Sequence, residues 1–319
     1  MLDTRDITYV IEQVGGCAWY RCRTPGSALA DKGYRIDLTN ALTGERVRAS
    51  KTIVWQRPSL AHSSAAIKLA KSLGIHTVVE IDDDYWSLSD DNPAKPSWTK
   101  LDGLPLRTLT ACVQEADRVT VTTKGLANVV RVLNPNVFVI PNQLPDDYWP
   151  LLERNYSCPP VIGWAGSSTH RGDLNVIRDV IATAAKDNTV ALVGAFSDWV
   201  GFHPSVHHCA SVPIDEYQKL VAGFDIGLAP LADTRFNRSK SDLKVLEYAA
   251  VSIPVIASPH YANTPARIAK TYRDWIRHIK ALQDPETRET EGRAMRAWAE
   301  TRMASLHTEE WEAACSLTR

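Results

Sequence analysis

Lys240, Lys244 and Glu247 stand at i, i+4 and i+7 within the segment 225–258, DIGLAPLADTRFNRSKSDLKVLEYAAVSIPVIAS. That spacing puts all three on one face of a helix. Ser239 and Ser241 are side chains suited to its N-cap. A helix opening there presents free N–H groups and the positive end of its dipole, which suits a diphosphate. Two ammonium groups near the helix start add cationic donors, and the carboxylate further along is spaced to meet ribose hydroxyls. The plainer alternative is a solvated Lys–Glu face.

Three further loops carry candidate groups. In 161–174, VIGWAGSSTHRGDL, Gly166 permits close backbone approach, and the polar groups Ser167, Ser168, His170 and Arg171 follow it. Gly15, Gly16, Trp19, Tyr20 and Arg21 join a glycine turn to two rings that can stack and a guanidinium that can donate. In Glu80-Ile81-Asp82-Asp83-Asp84-Tyr85-Trp86, Asp82 or Asp83 is placed to assist a hydroxyl's proton or to bind that hydroxyl, with Trp86 nearby. A divalent-metal site on Asp82 and Asp84 is the other use of the run. His207 and His208 are adjacent, so in a strand they face opposite sides and make no metal pair.

All of these groups need strands behind them. Short apolar runs alternate with amphipathic stretches, the pattern of α/β units around parallel sheets. Strands are expected at 7–11, 52–56, 77–81, 118–122, 138–140, 161–165, 190–193, 225–229 and 254–257, with helices between them. A Pro-rich polar stretch, 141–160, reads as a connection between domains. The expected division is one domain over 1–147, a second over 148–295, and a terminal helix over 296–319. Ligands of such sheets bind beyond the carboxyl ends of the strands, and each candidate loop follows one.

Composition narrows the function further. The chain has 319 residues, with 36 basic against 37 acidic side chains, so bulk charge does not favour nucleic acid or an anionic membrane. The start is polar, unlike a secretory signal, and no apolar run is long enough to span a bilayer. Cys17, Cys22, Cys112, Cys158, Cys209 and Cys315 form no close CxxC pair, so zinc is not expected and reduced thiols in a cytoplasmic setting are. No GxGxxG follows a strand, which argues against a dinucleotide-dependent dehydrogenase.

Glu247-Tyr248-Ala249-Ala250 followed by Ile253-Pro254-Val255-Ile256-Ala257-Ser258 resembles the donor site of the GT-B-type glycosyltransferases of family 4. The resemblance implies two Rossmann-like doubly wound domains facing a cleft, and transfer of a sugar from a UDP- or GDP-sugar. It further implies retention of configuration, with no metal or other cofactor required. It assigns Glu247 to the ribose, Arg171 to the pyrophosphate, the loop at Val212 to the nucleobase, and Gly15 and Gly16 to the loop under the donor sugar. The family's second acidic residue, two turns earlier, is Lys240 here, leaving Asp233 or Asp242 for the sugar. Near the anomeric carbon, Asp82 and Asp83 replace a common histidine. Arg171, Lys240 and the helix start would stabilise the departing diphosphate. Trp19, Tyr20, Arg21 and Trp86 are candidates for an acceptor that is a glycan, a protein or a hydroxymethylated DNA base. Competing readings are a GT-B-fold epimerase, a non-catalytic nucleotide-sugar binder, and a metal-dependent GT-A enzyme using Asp82 and Asp84.

Overall fold

The computed structural model describes residues 4–13, 15–90, 92–149, 159–194 and 203–317. Cys158 lies outside them.

Six strands build the first sheet: β1 (Arg5–Ile11), β2 (Ile36–Thr39), β3 (Ser50–Gln56), β4 (His76–Ile81), β5 (Arg118–Val121) and β6 (Val137–Val139). All pairings are parallel, in the order β2-β1-β3-β4-β5-β6. Helices cover both faces, so β3 and β4 are buried almost throughout, as parallel strands require. Val79, Ile81, Leu109 and Val121 lie in the core on one face, and Tyr9, Val54 and Val78 in the core on the other.

The second sheet holds β7 (Val161–Gly166), β8 (Thr189–Gly194), β9 (Val206–Cys209), β10 (Ile226–Ala229), β11 (Val255–Ala257) and β12 (Arg267–Ile268). Their order, β12-β11-β10-β7-β8-β9, is the Rossmann arrangement, with its crevice between β7 and β10. The corresponding reversal in the first sheet falls between β1 and β3.

The strands that periodicity does not announce, β2, β9 and β12, all lie at sheet edges. Edge strands are short and carry polar residues, which erases the apolar run. The helix expected between the strands at 161–165 and 190–193 is two, Arg171–Asn175 and Arg178–Ala184. Trp19 and Tyr20 lie in a π-turn, Trp19–Arg23, that joins Gly16–Ala18 to Thr24–Asp31.

The two lobes interlock. Phe236, from the second, packs in the core of the first; Tyr20, from the first, packs in the core of the second. The helix Pro285–Glu300 packs on the second lobe through Met295 and Ala299, with Trp298 partly buried beside them. The chain then returns through a bridge between Leu144 and Met303. The short helix Thr308–Ala314 seats Trp311 and Ala314 against β1 and β3 of the first lobe.

Candidate functional site

A cleft of about 870 Å³ opens between the carboxyl ends of the two sheets. A volume of that order suits a nucleotide-sized ligand. On the first lobe it is lined by Gly15, Gly16, Cys17, Trp19, Asp82 and Asp83 among others; on the second by Gly166, Ser167, His170, Val212, Lys240, Ser241, Lys244 and Glu247.

The second lobe's floor is shaped by glycine. β7 ends at Gly166 and β8 at Gly194, which are register partners. A Cβ on Gly194, where φ is +99°, would come within 2.0 Å of the Gly166 carbonyl oxygen. One on Gly166 would meet Trp164 at 2.7 Å and Lys244 Nζ at 3.0 Å. Backbone therefore forms the floor at the switch point.

The helix expected at Ser239 or Ser241 begins later, over Leu243–Ala250, with Asp242 at its N-cap. Ser239 is buried outside the lining, and its carbonyl accepts from Thr123 Oγ1 at 2.9 Å. Ser241 Oγ accepts from Asn142 Nδ2 at 2.8 Å. Asp242 is held by Arg302 Nη1 at 2.9 Å, and Asp233 is exposed in an ion pair with Arg238; neither lines the cleft. Lys240 precedes the helix in extended geometry yet still faces the cleft.

Lys244 is buried, donates to the Ala165 carbonyl and lies 5.1 Å over the Trp164 ring. Burial pulls its ammonium down to about 8. Glu247 Oε2 accepts from Tyr217 Oη at 2.9 Å, and burial raises its carboxyl above the ordinary value. His170 Nδ1 meets Asp173 Oδ2 at 2.7 Å, and Asp173 also accepts from Asn237 at 2.6 Å and Ala232 N–H at 2.9 Å. Burial, with Lys244 and Lys240 nearby, lowers the His170 imidazole against the opposing pull of Asp173.

Across the cleft, Asp83 Oδ2 accepts from Lys240 Nζ at 2.9 Å, an ion pair between the lobes. Burial raises the Asp83 carboxyl despite Lys240. Burial also opposes ionisation of Asp82, but Arg57 and hydrogen bonds from Cys17 and Tyr85 outweigh it and hold that carboxyl low.

Several expected positions lie elsewhere. Arg171 is exposed and is not a lining residue; its neighbour His170 is. Tyr20 does line the cleft, 2% exposed and beside Glu247. Arg21 reaches the cleft wall, but its guanidinium is spent on Glu80 Oε1 at 2.6 Å and the Ile140 carbonyl at 2.7 Å. Trp86 turns into the first lobe's core, where its Nε1 donates to Thr110 Oγ1 at 2.9 Å. These side chains belong to helices and turns whose inward face the core claims. Asp84 is fully buried and outside the lining, so Asp82 and Asp84 do not face a common ligand there. Among the described residues no group of His, Cys, Asp or Glu is arranged to hold a metal, and no helix is long and apolar enough to cross a membrane.

Two facing Rossmann-like lobes with a shared cleft are the GT-B architecture. No family model matches the chain, and no curated protein matches it by sequence. Solved structures do. HepE of Anabaena in complex with UDP-glucose superimposes with a TM-score of 0.66 at 14% identity, covering 98% of this chain and 100% of that one. Sucrose-phosphate synthase from Thermosynechococcus elongatus gives 0.64 at 14% identity, covering 98% and 97%. The catalytic domain of starch synthase IV from Arabidopsis thaliana, bound to ADP and acarbose, gives 0.65 at 11%, covering 98% and 100%.

Proposed function

We propose that this protein is a glycosyltransferase that moves a sugar from a nucleoside diphosphate sugar, UDP- or GDP-linked, to an acceptor hydroxyl. The observation that carries this reading is the convergence of Lys240, Lys244, Glu247 and the bare ends of β7 and β8 at the Rossmann crevice, facing Asp82 and Asp83. Glu247 would take the ribose hydroxyls. Lys240, Lys244 and the N-terminus of the helix Leu243–Ala250 would meet the diphosphate. Val212 and its neighbours would cover the base.

In the reaction the bond from the sugar C1 to the diphosphate oxygen breaks and the acceptor oxygen bonds C1. The acceptor's proton leaves to a carboxylate or a phosphate oxygen. The two ammonium groups would stabilise charge growing on the leaving diphosphate. We read the transfer as retaining and independent of a bound metal, as the family 4 resemblance implies. On the acceptor side, Trp19 with Arg23 4.7 Å over its ring offers a stacking rim for a sugar or an extruded base.

The test is titration with UDP and GDP, then product analysis with the corresponding sugar nucleotides. Glu247→Ala should weaken nucleotide binding by roughly tenfold or more, the loss of charge-assisted hydrogen bonds. His170→Ala should cost more affinity than Arg171→Ala. Unchanged affinity in Glu247→Ala would refute the site. Release of an epimerised sugar, with no transfer, would replace the reaction.

A further inference from the structure

Arg57 follows β3 at the reversal point of the first sheet and is not a cleft-lining residue. Its φ is +49°, a left-handed conformation that side chains other than glycine seldom adopt. Pro58 comes next, and a proline narrows the preceding residue towards extended backbone. Strain of this kind persists where surrounding contacts over-determine it, often beside functional groups.

The contacts here are specific. The Arg57 N–H donates to the Glu80 carbonyl at 2.9 Å, fixing the residue to β4. Its Nη1 donates to Tyr85 Oη at 3.0 Å, and Nε lies 3.7 Å from Asp82 Oδ1. Tyr85 Oη in turn donates to the same Asp82 oxygen at 2.7 Å. The Tyr85 ring stacks on Trp98, with centroids 4.1 Å apart and planes at 28°. Arg57, Tyr85 and Trp98 thus form a wall behind Asp82, whose carboxylate borders the cleft.

Resting on the transferase reading above, we propose that Arg57 and Tyr85 are positioning residues that hold Asp82 as a fixed, ionised carboxylate, aimed at the incoming acceptor hydroxyl. The division of labour between the neighbouring aspartates follows. Asp82 takes its hydrogen bond from Tyr85 and its nearest cation, Arg57, from the first lobe, and accepts a hydrogen bond from the acceptor. Asp83 is tied to Lys240 of the other lobe and senses the donor side. The charged and titratable groups facing Asp82 are Arg57, Tyr85, Cys17, Lys240, Asp83 and, one layer below, Glu80.

The deciding experiment is carbon NMR of protein labelled at aspartate side-chain carboxyls, with Asp82→Asn assigning the Asp82 signal. In the wild type it should titrate below the ordinary aspartate range. Tyr85→Phe and Arg57→Gln should each raise its midpoint, by about one unit for the charge lost in Arg57→Gln. Arg57→Lys should restore most of the shift. Tyr85→Phe removes only a hydroxyl, so it keeps the test alive if Arg57→Gln does not fold. UDP affinity should stay within about twofold in Tyr85→Phe. A midpoint that stays put in the folded variants overturns the clamp. A wild type that binds no nucleotide overturns the transferase reading instead and leaves the titration to decide the clamp separately. The acid limb of UDP-glucose hydrolysis should move with the Asp82 midpoint.

Discussion

Replacing Asp83 by asparagine should tighten nucleotide binding while loosening the protein. Lys240 Nζ sits 2.9 Å from Asp83 Oδ2, with the side chains 12% and 20% exposed. At that distance the attraction in an effective dielectric near 20 is about 6 kcal/mol, most of it offset by desolvation of both ions. A diphosphate must compete with Asp83 for the same ammonium. Asparagine keeps the volume and a neutral acceptor but gives up the charge, so Lys240 reaches the phosphate at lower cost. The expected gain is about 1–2 kcal/mol, or roughly 5- to 30-fold in the UDP dissociation constant. Without ligand the variant leaves a largely buried ammonium with less compensation, so it should melt several degrees lower, roughly 2–4 °C per kcal/mol lost. Calorimetric titration and a melting curve on the same sample give both numbers. Protonation of Asp83 does what the substitution does, so wild-type affinity should approach the variant's as pH falls. Folded Asp83→Asn that binds UDP no better than wild type would show that Lys240 does not serve the diphosphate.

Two further outcomes test the electrostatics. Lys244 is held at about 8, below the ordinary lysine value of 10.5, because burial disfavours its charge. UDP affinity should therefore fall as pH rises past 8, and Lys244→Met should flatten that slope in titrations across pH 7–9.5. Between about 8 and 10.5 the unfolded chain binds the extra proton, so Lys244's own contribution to stability rises with pH there. Arg21→Met should destabilise the fold by roughly 3–5 kcal/mol, the cost of leaving buried Glu80 unpaired. Burial already pushes the Glu80 carboxyl up to about 7, so the penalty should shrink in denaturation curves taken below that pH.

The second lobe was far more legible in the sequence than the first, and the reason is physical. Its donor groups follow one another along a single strand–loop–helix unit, so helical spacing pairs Lys244 with Glu247, and the loop just before the helix brings Lys240 to the same cleft. Even there the start of the helix was misplaced. Ser239 and Ser241 have cap-forming side chains, but Ser239 closes the turn Asn237–Ser239 with its carbonyl held by Thr123, Asn142 takes the Ser241 hydroxyl, and the helix starts after Asp242. A local propensity lost to tertiary contacts. In the first lobe the groups around Asp82 come from four separate elements. Arg57 follows β3, Tyr85 follows β4, Trp98 lies in the helix Lys95–Glu115, and Cys17 lies in the first helix. No spacing rule joins them. The only local sign was an arginine before a proline at a strand end, a pair that ordinarily marks a turn.

The aromatic and basic residues beside the first glycine turn line the cleft together but serve different parts of the molecule. Trp19, Tyr20 and Arg21 follow Gly15 and Gly16, where a ligand-facing loop is expected, yet they lie in a helix widened by a π-turn. Rotation along that helix sends successive side chains in different directions. Trp19 reaches the cleft and packs on Tyr148 at 5.2 Å, while Tyr20 enters the other lobe's core beside Glu247. Arg21 turns down to Glu80 and lies 5.1 Å from the Trp311 ring of the returning terminal helix. One short segment thus joins the cleft, the second lobe and the chain's end. Between the lobes stand this segment, the Asn142–Ser241 and Thr123–Ser239 hydrogen bonds, Phe236 and the Lys240–Asp83 pair. The pair is the contact among these that a diphosphate could exchange for itself, which makes it the natural link between donor arrival and the position of Asp83.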